Sequence, residues 1–439
     1  MVTIGEDGRV ELSDAINAAP LSTFQIRVAG LCSFGALLDG YDMQAMGLAV
    51  PSVAQDLAVQ PGALGPALAA GLVGMAIGAL LLGTLADRFG RRPMMIALML
   101  LVGAASLATA ASGDLWQLAF WRLVTGLGLG GMVPVATSLT AEYAPKRRRT
   151  AMVTLMICCI SLGSVFASVI APAIDARHGW RGIFVFGGIL PIATALLYWF
   201  VLPESLRFLM RANAASARVA YQLNRIVPVI APESVYVATV EAAYGQPVRA
   251  LLSRRYMARN LLLWSIWGLN LFVNFSLSSW LPTLLASAGW SHATAMHAIG
   301  FMAMGGLLGG LCLSWLADYR YIVGPLIAAY LIAIGALLGF GFLPADKWGM
   351  LVALAGLGAF GGQLTIGSLA VAFYPSDIRA TGLGWAGGIG RLGSIAGPLI
   401  LGVMIGQGLS TPTILGLLAV PLGICALCTL LVPRFAHAA

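Results

Sequence analysis

The sequence predicts an all-α membrane protein whose twelve transmembrane helices form two pseudo-symmetric six-helix halves. Three observations predict it: apolar runs of membrane-spanning length, a one-sided distribution of basic residues, and an internal repeat. The chain is 59% hydrophobic and only 10% charged, with a mean hydropathy of +0.89, whereas soluble domains carry about 25% charged residues. Twelve runs, at 26–54, 64–85, 93–111, 115–142, 150–173, 181–202, 258–286, 293–316, 321–343, 347–373, 379–406 and 412–432, each approach or exceed the ~20 residues needed to cross a bilayer.

Orientation follows from charge. Residues 1–24 are polar and mixed in sign (Glu6, Asp7, Arg9, Glu11, Asp14), so no signal peptide is expected and the N-terminus stays in the cytoplasm. Twenty of the 25 Lys and Arg then fall on the cytoplasmic side. Three lie outside (Arg177, Arg181, Lys347) and two within spans (Arg122, Arg391). Discounting the eight between Arg207 and Arg259 still leaves twelve against three, which places both termini in the cytoplasm. The net charge of +8 thus orients the protein in the lipid bilayer, and no nucleic-acid partner is expected.

The repeat sets the domain plan. Gly126-Leu127-Gly128 and Gly131 recur 230 residues later as Gly356-Leu357-Gly358 and Gly361, with Ser138-Leu139, Pro145 and Arg149 recurring as Ser368-Leu369, Pro375 and Arg379. Leu85-Ala86-Asp87 recurs as Leu316-Ala317-Asp318. The expected units are an N-terminal half with its tail (1–202), a proline- and arginine-rich cytoplasmic linker (203–257) and a C-terminal half (258–439). Six plus six helices in parallel repeat, with a site at the midplane between them, is the plan of a secondary transporter.

The first span carries Asp39 and Asp42 in an otherwise apolar run. An ionisable residue inside a membrane costs about 2.5–3.5 kcal/mol on insertion scales, so two on one helix need a compensating role. Proton movement supplies one. Their i, i+3 spacing puts both on one face, which must then look into a polar cavity. The plainer alternative is a structural pair neutralised by an arginine on a neighbouring helix. Arg122 lies roughly 10 Å from the outer rim of the fourth span and Asp42 roughly 24 Å from the inner end of the first. Since the hydrocarbon core is about 30 Å thick, the two meet at similar depth.

Arg391 lies roughly 18 Å into the eleventh span, and no acidic residue occurs in spans 7, 9, 10, 11 or 12. An anionic substrate would supply its counter-ion; backbone carbonyls, or an aspartate across the cavity, are the alternative. Asn270, Asn274, Phe272, Gln363, Trp385 and Tyr41 complete the expected substrate wall, aromatic faces and amides suiting an aromatic, carboxylated ligand.

At the cytoplasmic rim, Gly83, Asp87, Arg88, Gly90, Arg91 and Arg92 surround the turn between spans 2 and 3. Asp87 can face the positive N-terminus of a neighbouring helix and the arginines can pair with Glu142, although simple positive-inside anchoring is the bland reading of each arginine alone. Arg149, Asp318 and Arg379 join them as gate candidates through the repeat.

Other chemistry finds little support. Gly356-Leu-Gly-Ala-Phe-Gly361 matches a nucleotide-loop pattern but lies inside an apolar span, where glycines let helices approach. The six cysteines all sit in apolar runs, and His178, His292, His297 and His437 form no catalytic group. No enzyme activity, cofactor or metal site is expected. A channel would need a filter-like carbonyl loop or a charged ring.

The loop GTLADRFGRRPMM, the stretches FWRLVTGLGLGG and AEYAPKRRR, and VLPESLRFL resemble signatures of the major facilitator superfamily. LLDGYDMQAMGLAVPSV resembles the first-helix signature of its aromatic acid:proton symporters. The resemblance implies the fold of that superfamily and uptake of benzoates, hydroxybenzoates or related acids, such as phenylpropanoates, with protons across a bacterial inner membrane. It also implies coupling through Asp39 and Asp42 with Arg122, a conformational role for Asp87 and its neighbours, and functional positions for Glu142, Arg379 and Arg391. Asp318-Tyr319-Arg320-Tyr321 departs from the pattern, lacking the glycine and paired arginines of its first-half counterpart. The expectation is a monomeric symporter, the alternative being a symporter of a sugar or other organic metabolite.

Overall fold

The computed structural model describes residues 9–11, 16–17, 20–212, 217–226, 235–237, 251–319, 323–374 and 376–436. Long helices follow the apolar runs. In the first half these are α1 (Thr23–Asp56), α2 (Gly65–Phe89), α3 (Arg91–Ala110), α4 (Leu115–Tyr143) and α5 (Lys146–Val201). Two short helices, α6 (Leu206–Ala212) and α7 (Ala217–Asn224), lie in the connector. The second half comprises α8 (Arg254–Ser287), α9 (His292–Tyr319), α10 (Val323–Gly339), α11 (Trp348–Phe373), α12 (Ser376–Gly406), α13 (Thr411–Leu417) and α14 (Ala419–Ala436).

Among the described residues, nine helical segments are long and apolar enough to cross a membrane. The 56-residue α5 holds two of the expected spans, because Gly179 at φ 64° breaks it between its arms, 146–178 and 180–201. α1 is long enough but is made less apolar by its carboxylates, and α10, at 17 residues, reaches roughly 25 Å. With these the crossings number twelve. The last is divided between α13 and α14, whereas the sequence suggested one uninterrupted run. Among the described residues one pair of strands stands apart from the helices: β1 (Arg9–Glu11) and β2 (Val235–Val237) pair in parallel, Arg9 opposite Val235, and tie the N-terminal tail to the connector. The Val-Tyr-Val of β2 suits an extended backbone.

Packing repeats between the halves. α2 runs along α4 and α1 along α5, and six crossings later α9 runs along α11 and α8 along α12. Small residues make these approaches possible. A Cβ at Gly74 or Gly126 would fall on the Leu123 or Gly71 carbonyl, and one at Gly305 or Gly356 on that of Ala353 or Met302. The glycine motifs of the fourth and tenth spans are therefore helix-packing surfaces. The crossing of α1 with α5, where a Cβ at Gly40 would fall on the Ile160 carbonyl, is mirrored by that of α12 with α8, where one at Gly393 would fall on the Gly268 carbonyl. Asp39 and Arg391 sit beside these two crossings, which fix their depth.

The halves meet through α2 with α12, α5 with α9 and α1 with α8. They close at the end away from the termini, where Gly62 backs onto the Gly402 carbonyl and Gly47 onto that of Ser278. One apolar cluster spans both halves there, joining Val50, Val53 and Leu64 to Leu281 and Leu284. At the terminal end, a Cβ added at Gly384, Gly387 or Gly388 of α12 would meet no other part of the molecule within 4 Å, and Leu80 of α2 is 71% exposed. The molecule is open toward the face that bears its termini.

Candidate functional site

Two connected cavities lie between the halves. The wider, ≈ 510 Å³, is lined by Asp39 and Ala79 from the first half and by Trp267, Gln363, Gly387 and Arg391 from the second. The narrower, ≈ 210 Å³, adds Gln44, Arg122, Asn274 and Ser278. Met43, Leu72, Met75, Ile160, Leu271, Phe275 and Gln363 border both. The larger volume is typical of a small-molecule site, roughly 300–1,000 Å³.

The two carboxylates of α1, expected to share one face, part company. Asp42 turns to α4, where Arg122 Nη1 donates to its Oδ1 at 3.0 Å and Nη2 to its Oδ2 at 2.8 Å. Nη2 also reaches the Asp42 carbonyl at 3.4 Å, and the guanidinium stacks 5.6 Å from the Phe184 ring centroid. Both residues are buried, and this paired geometry satisfies charges that would be costly alone. Asp39, also buried, borders the wider cavity, and its Oδ1 has no hydrogen-bond partner. The depth argument therefore found the right partner for Asp42. The shared-face argument failed because a 300° step over three residues still leaves room for one side chain to lean into the cavity and the other into the α4 interface.

Arg391 enters the same cavity from the opposite half. Among the described residues it makes no ion pair, and Asp39 is the carboxylate that borders the same cavity from the other half. Its helix presents Leu383, Gly384, Gly387, Gly388, Arg391 and Ser394 to that space, a stripe at helical spacing in which small residues leave the guanidinium standing clear.

The aromatic and amide wall is partly reassigned. Gln363 borders both cavities and Asn274 the narrower one, each with a side-chain oxygen lacking a partner. Asn270 stands behind Asn274: its carbonyl and Oδ1 accept from Asn274 Nδ2 at 2.9 and 2.6 Å, and both side chains donate to the Ala359 carbonyl. Tyr41 is a packing residue rather than a wall residue. It is buried, donates to the Ile183 carbonyl at 2.9 Å and packs against Phe166 and Phe186. Trp385 stacks on Trp264 with centroids 6.2 Å apart, away from the cavity lining. Phe272 likewise lies off the lining, its backbone against Gly397. Phe275, another aromatic of the same span, and Leu271, which carried no signal in the sequence, take these places: the α8 face marked by Asn274 carries them at i+1 and i−3.

At the terminal face, Arg91 pairs with Glu142 and lies 3.7 Å from Asp87. Arg207 approaches Glu142 at 3.9 Å, and Ser205 Oγ donates to Glu142 Oε2 at 2.6 Å. The unanticipated member is Glu204. Its Oε1 accepts from the backbone N–H groups of Arg91, Arg92 and Ser205 at 2.8, 3.1 and 2.7 Å, capping the start of α3. Pro203-Glu204-Ser205, an acidic residue at a helix boundary, was the signal available for it. Gly90, at φ 98°, lies so close to the Glu204 carboxylate that a Cβ would collide with Oε2. Arg92 donates to the Trp199 carbonyl, Arg88 stacks on Phe89, and Gly83 and Asp87 border a small cleft with Pro134 and Ser138. Arg149 makes no ion pair among the described residues, and its Nε has no partner. The side chains of Asp318 and Arg379 lie outside the described residues.

Residues 32–398 match the family model of the Major Facilitator Superfamily. This chain belongs to that superfamily. It is 36% identical over 98% of its length and 97% of the other chain to a 4-hydroxybenzoate transporter from Pseudomonas aeruginosa. Identity to a gallate transporter from Pseudomonas putida is 34%, over 94% of this chain and 93% of that one. A crystal structure of a bacterial homologue of the human lysosomal transporter Spinster superposes with a TM-score of 0.73 at 16% identity, covering 94% of this chain and 98% of that one. Superfamily membership makes the protein a multi-pass membrane transporter and excludes the enzyme class.

Proposed function

We propose that this transporter carries a small aromatic carboxylate, such as a benzoate, hydroxybenzoate or phenylpropanoate, inward together with protons by alternating access. The observation that carries the reading is the pair Asp39 and Arg391, placed on opposite halves and facing one cavity. Arg391 offers the planar donor fork that a carboxylate accepts, and Leu271, Phe275 and Trp267 supply apolar and aromatic wall for a ring. While ionised, Asp39 competes with the substrate for that guanidinium. A proton on Asp39 removes the competitor, so the anion and the proton enter as a charge-balanced set. Asp42 carries a proton when its pairing with Arg122 loosens, the pair setting how readily it does so.

Residues 1–202 and 258–439 act as the two rocking bodies, joined by 203–257. Both termini face the cytoplasm of a bacterial inner membrane, in keeping with the basic-residue asymmetry. On that orientation the open face is the inner one. One chain supplies both sides of the cavity, so a monomer is a complete transporter. The Asp87, Arg91 and Glu142 cluster serves the outward-facing state, with Arg149, Asp318 and Arg379 as further gate positions.

Uptake of 4-hydroxybenzoate into proteoliposomes with an alkaline interior tests the reading. Accumulation should be driven by the gradient in the wild type and lost in Asp39→Asn and Asp42→Asn, while Arg391→Lys or Arg391→Ala should weaken binding in calorimetry by at least about tenfold, the value of one charge-assisted contact. Gradient-driven accumulation that survives both aspartate substitutions, or calorimetric affinity untouched at Arg391, refutes it. The unpartnered amide oxygens of Gln363 and Asn274 would equally suit a hydroxylated neutral metabolite such as a sugar. Competition by sugars, independent of Arg391, would favour that alternative.

A further inference from the structure

At the closed end of the molecule, three side chains from three helices meet across the boundary between the halves. Asp175, on the first arm of α5, accepts from Ser52 Oγ of α1 at 2.8 Å through Oδ2. The same oxygen lies 2.9 Å from His292 Nε2, at the first residue of α9 in the other half. Ser52 Oγ and His292 Nε2 are 3.2 Å apart, closing the triangle. The Asp175 side chain is 8% exposed, and its second oxygen, Oδ1, has no hydrogen-bond partner. Among the described residues, His292 is its one cationic partner within 4.0 Å. A buried carboxylate so thinly supported depends on a cation beside it.

We propose that Ser52, Asp175 and His292 form a latch that holds the outer side shut, and that acid outside the cell tightens it. The placement of this end outside rests on the orientation given above. Opening the outer side must carry α9 away from α1 and α5, which strips His292 from Asp175 and admits water. With His292 protonated, the contact broken is an ion pair; with His292 neutral, it is a hydrogen bond, and the closed state loses that much of its advantage.

The neighbouring titratable groups do not substitute for it. Asp56 of α1 is engaged by Arg181 at 2.6 Å and by Trp180 Nε1 at 3.1 Å, donors that hold its carboxyl below the usual carboxylate range. Arg177 and His178 follow Asp175 on α5 and are exposed, and His297 lies five residues beyond His292 on α9. None of the three makes an ion pair with Asp175 or Asp56 among the described residues. The latch would restrain transport in acid surroundings, where the proton gradient is steepest.

Electron-spin distance measurement between labels at Gln60→Cys and Gln407→Cys, exposed positions on the two halves at this end, reads the closure directly. The background has its six native cysteines replaced. In detergent micelles, where both faces share one pH, the readout is independent of orientation, substrate and proton-coupled uptake. Lowering the pH from about 7.5 to about 5.5 should increase the short-distance population of the wild type. His292→Gln and Asp175→Asn should each cut the closed-to-open ratio at the lower pH by about fivefold. His292→Arg keeps a fixed cation, and should stay closed at both pH values. The proposal is overturned if His292→Gln keeps the wild-type closure and pH response, or if His292→Gln and His292→Arg behave alike. With the latch established in micelles, external acid alone, applied to oriented proteoliposomes, should slow entry in the wild type but not in His292→Gln. The opposite sidedness would sink the orientation while leaving the latch.

Discussion

Replacing Asp42 by Asn and Arg122 by Gln, singly and together, separates a structural ion pair from a freely titrating carboxylate. In the native protein the guanidinium donates two hydrogen bonds to the carboxylate, at 3.0 and 2.8 Å, within a buried site. Charge-assisted bonds contribute about 1.5–3 kcal/mol each, so the two are worth about 3–6 kcal/mol. Breaking a buried pair from one side, which strands the other charge, costs about 3–5 kcal/mol by mutational experience. The two routes agree. Each single variant should therefore lose about 3–5 kcal/mol of unfolding free energy, measured by denaturant titration in mixed micelles. The double variant, which leaves two neutral groups able to hydrogen-bond, should lose much less than the sum. A coupling of at least about 2 kcal/mol is expected, against the roughly 0.5 kcal/mol within which independent sites add. Additive losses in the double variant would show that the two charges do not depend on each other and refute the pairing as the reason Asp42 is tolerated at this depth. Asp39→Asn, measured alongside, should change stability by under about 1 kcal/mol, because among the described residues its carboxylate has no ion-pair partner to strand.

Two further outcomes follow from residues the structure reassigns. Tyr41→Phe removes the bond to the Ile183 carbonyl and should lower stability by about 0.5–1.5 kcal/mol while leaving the calorimetric affinity for 4-hydroxybenzoate unchanged; an altered affinity would return Tyr41 to the binding wall. Gly90→Ala should be destabilising by more than about 1 kcal/mol, since it adds a side chain at φ 98° and drives it into Glu204, and loss of the α3 cap should show as faster amide exchange at Arg91 and Arg92. Unchanged exchange at those two amides would mean that Glu204 does not cap the helix.

Much of the architecture was legible because membrane crossing imposes length, apolarity and charge sidedness on the chain itself. The repeated glycines were readable for the same reason: only small residues permit the close helix crossings seen at Gly126 and Gly356. Individual ionisable groups within the spans also stood out against an apolar background, so Asp39, Asp42, Arg122 and Arg391 were found without coordinates. Side-chain direction was not legible. A difference of one position on a helix turns a residue by about 100°, which is why Tyr41 and Trp385 face away from the cavity while Leu271 and Phe275 border it. Contacts between distant segments were equally hidden. Nothing in the sequence around Ser52, Asp175 or His292 announces that a fold will bring them within 3.2 Å of one another, and the extended segments at 9–11 and 235–237 are too short to carry a periodic signal of their own.

The charge arrangement divides the work of transport among places that differ in how they are exposed. Asp42 and Arg122 belong to the same half, so rigid-body rocking of the halves by itself leaves their separation unchanged. Asp39 and Arg391 border one cavity from different halves, so any rocking alters their separation. The terminal-face cluster already has Arg91 joined to Glu142 in a molecule that is open on that side, while Asp87 remains 65% exposed. Formation of that ion pair alone therefore cannot be what closes that side. Asp87, 3.7 Å from Arg91 but largely exposed, has room for a further partner, and closing that side would bring α2 toward α12, whose N-terminus at Ser376 offers the positive end of a helix dipole. We propose that Arg91 holds Asp87 in position and that a contact between the halves, absent from the arrangement seen here, stabilises the state closed on this side.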